Sequence, residues 1–195
     1  MCVAWLLVAA CATEKAAQSP GATLGTAAPT TTTTDPYAIP TPIDAAYVNR
    51  VLAGLDAVNG DVLRLSLAAK TIPRDAVDRF KAVYATDALL NFRLDSLSRD
   101  LAGGFAGIKP QPGNTVTTVS QMLSVKPTCV FVKVTRDYSS VAFTPLAELG
   151  TQWMAIAPLE PVRDPAKYNG TRWAFVYEGF ERGFVAPSAD PCAAF

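Results

Sequence analysis

TVTTVSQMLSV, residues 115–125, is the stretch on which the fold turns, because here the apolar pattern changes its period. Alternation replaces the three- and four-residue steps that come before it, and alternation is the mark of a half-buried strand. The pattern puts Val119, Leu123 and Val125 on one face and Thr118, Ser120 and Ser124 on the other. A turn at Lys126-Pro127 then leads into CVFVKVTRDYSSV, residues 129–141, where Val130, Val132 and Val134 fall in phase. TQWMAIAPL (151–159) and TRWAFVYEGF (171–180) read as two further strands, separated by the turn-rich EPVRDPAKYNG.

Before this stretch the period is helical. Tyr47, Val48, Val51, Leu52, Leu55, Val58, Val62 and Leu65 form one apolar stripe, with Arg50, Asp56 and Arg64 on the opposite side. Gly60 weakens that helix without breaking its phase. Thr71-Ile72-Pro73 opens a second helix, with Pro73 in its first turn and Val77, Phe80 and Tyr84 along it. Thr86-Asp87 caps a third, whose Leu90, Leu94, Leu97 and Leu101 make a narrow seam ended by Gly103-Gly104. Two of these pieces can equally be one bent helix.

Helices first and an antiparallel meander second give an α+β class, two or three helices packed on a sheet of about four strands. This order, with TVTTVSQML, PTCVFVKVTRDYSSV, QWMAIAP and TRWAFVYEGF as the meander, resembles the NTF2-like (cystatin-like) α+β cone of actinobacterial secreted proteins and lipoproteins. The resemblance spans roughly residues 43–180. It implies a curved sheet whose concave face and helices enclose a pocket used for small-ligand binding, occasional catalysis or pairing with partners.

The opening residues speak about location. LLVAACATEK, residues 6–15, is a short apolar run that stops on a cysteine and turns polar. Residues 3–10 are too few to span a bilayer, which takes about 20, but suffice for the apolar region of a signal peptide. Val8-Ala9-Ala10-Cys11 resembles a bacterial lipobox, which implies a lipid on Cys11 and cleavage before it. Small side chains suit a peptidase that holds the segment extended. Met1-Cys2 begins directly in the apolar run, so the basic residues expected of a leader are placed upstream of Met1. Residues 1–11 are thus read as leader remnant and lipobox.

Residues 12–42 are rich in Ala, Thr, Pro and Gly, include the unbroken run Thr30 to Thr34, and carry only Glu14, Lys15 and Asp35 as charges. Such a segment cannot bury enough apolar surface to offset its ordering entropy. It reads as a spacer that could reach ~100 Å extended and ~30 Å as a coil. A single domain follows, residues 43–195.

Among 195 residues, 17 basic and 17 acidic side chains balance, so no overall field draws the chain to nucleic acid. Charged residues are 17% and apolar ones 50%, enough for a substantial core. There is no histidine, which excludes a Ser-His-Asp or Cys-His site within the chain. Asp137 and Ser139 have no base to activate the serine, and Gly103, Gly104 and Gly107 follow a helix rather than open one. Asn169-Gly170-Thr171 matches a glycosylation sequon but reads as a turn. No metal and no cofactor is implied.

Cys129 and Cys192 are left for each other if the protein is exported; the alternative is one buried thiol and one frayed thiol. Glu178 shares parity with Val176 and Phe180, which places a carboxylate on an apolar face where it could act as acid or base. Equally, it can reach solvent at the strand end or pair with Arg172 or Arg182. Trp153, Trp173, Tyr177, Tyr84 and Tyr138 are candidates to line a pocket, while Trp173, Phe175 and Tyr177 share one face as core residues would.

The expectation is a lipid-anchored, extracytoplasmic protein of the cell envelope. Its domain would bind an apolar small molecule or an envelope protein, without catalysis. The alternative is an NTF2-like hydrolase or isomerase, which needs a pocket where a carboxylate meets a tyrosine hydroxyl.

Overall fold

Asp44 begins the first helix by accepting a 2.7 Å hydrogen bond from Tyr47 N–H on its side chain. Helix α1 (Ala45–Ala69) then runs without interruption, and Lys70 ends it in the left-handed region at φ 52°. α2 (Arg74–Val83) follows, with Pro73 just before its first residue rather than inside its first turn. Thr86 Oγ1 accepts from Leu89 N–H to open α3 (Asp87–Ala102), and Gly103 closes it. The helices are three separate elements. These elements come from a computed structural model, which describes residues 37–143, 151–159, 170–180 and 189–195. Cys2, Cys11, the threonine run, Asn169 and Arg182 lie outside the described residues.

The strands are β1 (Val116–Lys126), β2 (Cys129–Asp137), β3 (Thr151–Pro158) and β4 (Trp173–Phe180). They form one antiparallel sheet in chain order, so the class is α+β with three helices packed on a four-stranded meander. β1 departs from strict alternation. Its register against β2 slips between Val119 and Gln121 and again between Met122 and Ser124. Each extra residue resets the facing, so Val119, Met122 and Val125 pair with Val134, Val132 and Val130 on the helix side, Leu123 falls at the second shift, and Leu123 and Val125 are exposed. Of the expected single face of Val119, Leu123 and Val125, Val119 and Val125 keep a common side, and Met122 replaces Leu123 between the two bulges.

β4 carries a similar irregularity. Ala155 pairs with Tyr177 and Ile156 with Phe175, so Val176 is the extra residue. Trp173 and Phe175 join the helix-side core, whereas Val176 and Tyr177 pack on the far side of the sheet. The shared face expected for Trp173, Phe175 and Tyr177 ends at this bulge. Glu178, beyond it, faces the helices.

The main core lies between α1, α2 and the sheet. Val48, Leu52, Leu55, Val58 and Val62 of α1 meet Val130, Val132, Val134, Met154 and Ile156, with Phe80, Val83, Tyr84 and Phe175 alongside. Ile39, before the composition change at Ile43, also packs against it. Trp173 is buried, and its ring N–H donates to Tyr47 Oη at 2.8 Å. On the far face Cys129, Phe131, Ala155, Ala157 and Cys192 form a second buried group.

Both margins of the sheet are met from within the chain. On the β1 side, Val119 N–H donates to Asn49 Oδ1 and Thr117 N–H to Asp56 Oδ2, both at 2.8 Å. On the β4 side, Ala85 N–H donates to the carbonyl of Phe175 at 2.9 Å, just after α2. Cys129 and Cys192 are joined as a disulfide, with Cα atoms 5.5 Å apart and a sequence separation of 63. Asp190 caps the short 3-10 helix Pro191–Ala194, and Lys126 Nζ donates to the Cys192 carbonyl. No described helix is long and apolar enough to cross a membrane.

Candidate functional site

Three ordinary packing events make a cleft. α3 packs against α1, Phe80 of α2 and Tyr84 just after it join the lining, and the Tyr138–Ala142 turn after β2 borders one side. The resulting space is about 370 Å³, within the size range of small-molecule sites. Val62, Leu63, Phe80, Leu97, Ile108 and Val141 give it apolar walls. Gly60 belongs here as well, because the side chain of Asn114 crosses α1 too closely to admit a Cβ at that position.

The polar floor is an ion-pair chain. Arg136 lies in phase with Val130, Val132 and Val134, so its strand aims it at the helices; its side chain is 4% exposed. Its Nη2 donates to Asp56 Oδ1 at 3.1 Å and its Nη1 to Glu178 Oε1 at 3.4 Å. Arg93 of α3 reaches Glu178 Oε2 from above, through Nε at 2.8 Å and through Nη2. Two guanidiniums and two carboxylates thus alternate as Asp56, Arg136, Glu178 and Arg93. Arg93 also lies over the rings of Tyr84 and Phe92, and Arg136 over Tyr138.

Asp56 contradicts the expectation that it faces solvent with Arg50 and Arg64: its residue is 1% exposed. Burial pushes its carboxyl above the usual 3.8, against the downward pull of Arg136 and of the Thr117 N–H. Burial likewise lifts the Tyr84 hydroxyl well above its ordinary value, so it stays protonated and donates to Asn59 Oδ1 at 2.9 Å. At the rim, burial raises Asp100 too, with Arg99 acting against it.

Of the residues singled out in sequence, Tyr84 and Tyr138 line the cleft, while Glu178 lies behind it, paired with the lining residues Arg93 and Arg136. Trp173 is core, and Trp153 and Tyr177 belong to the far face of the sheet, so these three stand apart from it. The Glu178 side chain is 1% exposed and pairs with Arg93 and Arg136, neither of them considered from sequence. Its hydrogen bonds go to guanidiniums and not to a tyrosine hydroxyl: Tyr84 serves Asn59, and Tyr138 Oη accepts from Gln152 Nε2 at 3.3 Å. A carboxylate so engaged holds two cations in place.

Sequence reasoning missed Arg93 and Arg136. Arg136 did leave a signal, since a cation in phase with three buried valines must find an anion. Arg93 left less, being one position before Leu94 of the seam. Among the described residues no group of three or more Cys, Asp or Glu side chains could hold a metal ion. Comparison of the chain with protein-family models, characterised proteins and solved structures finds no match.

Proposed function

We propose that the domain is a non-catalytic binding module whose cleft between α1, α3 and the turn after β2 takes a small, mainly apolar molecule. The observation that supports this reading is the lining: Arg93 and Arg136 border the cleft and are both held by Glu178 behind them, beside apolar walls around a space of about 370 Å³. Such a lining is rigid and internally compensated, which suits recognition rather than proton transfer. The NTF2-like cone expected from the order of elements belongs to the same proposal.

We also propose that the domain works outside the cytoplasm, tethered through a lipid on Cys11 and a spacer of some thirty residues. The Cys129–Cys192 bridge favours an oxidising compartment. Native mass spectrometry of the protein recovered from its source membrane tests both parts. The expected result is a mature N-terminus at acylated Cys11 and a retained small molecule that Ser96→Trp, which fills the cleft, abolishes. An unacylated chain that keeps Met1 would overturn the tether. A wild-type protein carrying nothing and identical to Ser96→Trp against apolar probes would overturn the binding role.

A further inference from the structure

α3 brings two neighbouring rows of residues to the cleft. Phe92, Ser96 and Asp100 follow one another at steps of four, and Arg93 and Leu97 lie beside them. Phe92 and Asp100 are therefore about 12 Å apart along the helix axis. Asp100 is exposed at the rim and has no counterion. Its backbone carbonyl accepts from Phe105 N–H, but among the described residues its side chain makes no hydrogen bond and no ion pair. Arg99, its neighbour in sequence, pulls its pKa down without closing to ion-pair distance, and burial outweighs that pull. We infer that the cleft's ligand is an apolar amine, a cation whose ammonium group pairs with the Asp100 carboxylate at the rim while its hydrocarbon part lies against the apolar walls. This rests on the binding role proposed above and names the chemistry of its ligand.

The balance of charge selects the sign. Two arginines would ordinarily suggest a carboxylate or phosphate ligand. Here each is already matched, Arg93 by Glu178 and Arg136 by Asp56 and Glu178, so two cations and two carboxylates cancel. The charge left over among the described lining residues is Asp100, and it is negative; Arg99 and Lys109 flank lining residues without lining the space themselves. An incoming anion would shed its water only to meet that carboxylate. A neutral apolar molecule would take water from the carboxylate and leave it unpaired, at a cost in free energy. An ammonium removes the cost, and Ser96, one turn earlier on the same row, offers a hydroxyl oxygen to a further N–H. Arg93 starts about 10 Å back along the axis with its guanidinium committed to Glu178, which keeps like charges apart. Size agrees, since about 370 Å³ corresponds to roughly a dozen water-sized groups of ~30 Å³.

Three probes of one shape separate the possibilities: 2-(aminomethyl)naphthalene, 2-(hydroxymethyl)naphthalene and 2-naphthoate, titrated calorimetrically into the full chain at neutral pH. The amine should bind at least about tenfold more tightly than the alcohol or the naphthoate. Asp100→Asn keeps the shape of an exposed side chain and removes its charge, so amine and alcohol should then bind alike. Ser96→Trp, which fills the cleft, should abolish binding of the amine. If Asp100→Asn does not fold, the wild-type order of affinities still decides. Alcohol or naphthoate binding as tightly as the amine would overturn the ligand's charge, and an amine preference that survives Asp100→Asn would overturn its counterion. Either result leaves the apolar-binding role standing. If none of the three binds, or if all bind undiminished in Ser96→Trp, both proposals fall.

Discussion

A carboxylate beside an apolar stripe is normally read as solvated, and helical periodicity puts Asp56 with Arg50 and Arg64 on that side. Periodicity separates apolar from polar, but it does not tell a flank that meets water from one that meets amides and a guanidinium. Asp56 meets the latter. Its raised pKa has a testable consequence. Unfolded, the carboxyl titrates near its ordinary 3.8; folded, it keeps its proton to higher pH. The native state therefore binds more protons in that window, and stability declines as pH rises from about 4 through the native value. Relative to Asp56→Asn, wild type should lose stability over that range, as urea midpoints measured at successive pH values will show; a constant difference would contradict the shift. Glu178 differs in kind. Its apolar setting was readable in sequence, but its partners Arg93 and Arg136 lie 85 and 42 positions away and were not. Glu178→Ala leaves two buried cations short of an anion and should cost about 3–5 kcal/mol in urea unfolding. A strained catalytic acid would give the reverse, with stability unchanged or raised on its removal.

Elements were legible where long runs kept one period, and less so wherever a single residue reset it. The four strands and the α1 stripe followed from spacing, because those patterns extend over many positions. The bulges at β1 and at Val176 had no such signature: neither site carries the glycine or proline that commonly announces one. Each displaced the residues beyond it to the other face, which is why Tyr177 left the core face and Leu123 was exposed. For the site, two tyrosines and one glutamate were found by residue type alone, whereas its arginines, on α3 and β2, are brought to Glu178 of β4 only by the fold. The α1–β1 seam invites its own measurement. Asn49→Ala removes the acceptor for Val119 N–H and should cost about 1 kcal/mol. Amide exchange at Val119 should then quicken more than at Val132 in the sheet centre. Equal acceleration at both positions would mean that the helix merely contributes to global stability.

On the scale of the whole molecule, the disulfide joins the beginning of β2 to the 3-10 helix and holds it on the far face of the sheet. Closing a loop of 63 positions stabilises by up to about 4 kcal/mol on the chain-entropy account. Peptide mapping after thiol labelling of denatured, unreduced protein should find Cys129 and Cys192 both unlabelled. Reduction should lower the urea midpoint while leaving the α1–β1 amides ordered, because the main core does not include either cysteine. Labelling of both thiols in unreduced protein would remove the bridge and, with it, a support for an oxidising compartment. The sheet's margins carry a different lesson. Asn49 and Asp56 occupy backbone donors on one flank, and Ala85 occupies a carbonyl on the other. A neighbouring copy laid alongside would find those groups already taken, so ribbon-like polymerisation has little to gain even where molecules are crowded. At Thr117, Val119 and Phe175 a second copy has no free backbone group with which to lengthen the sheet.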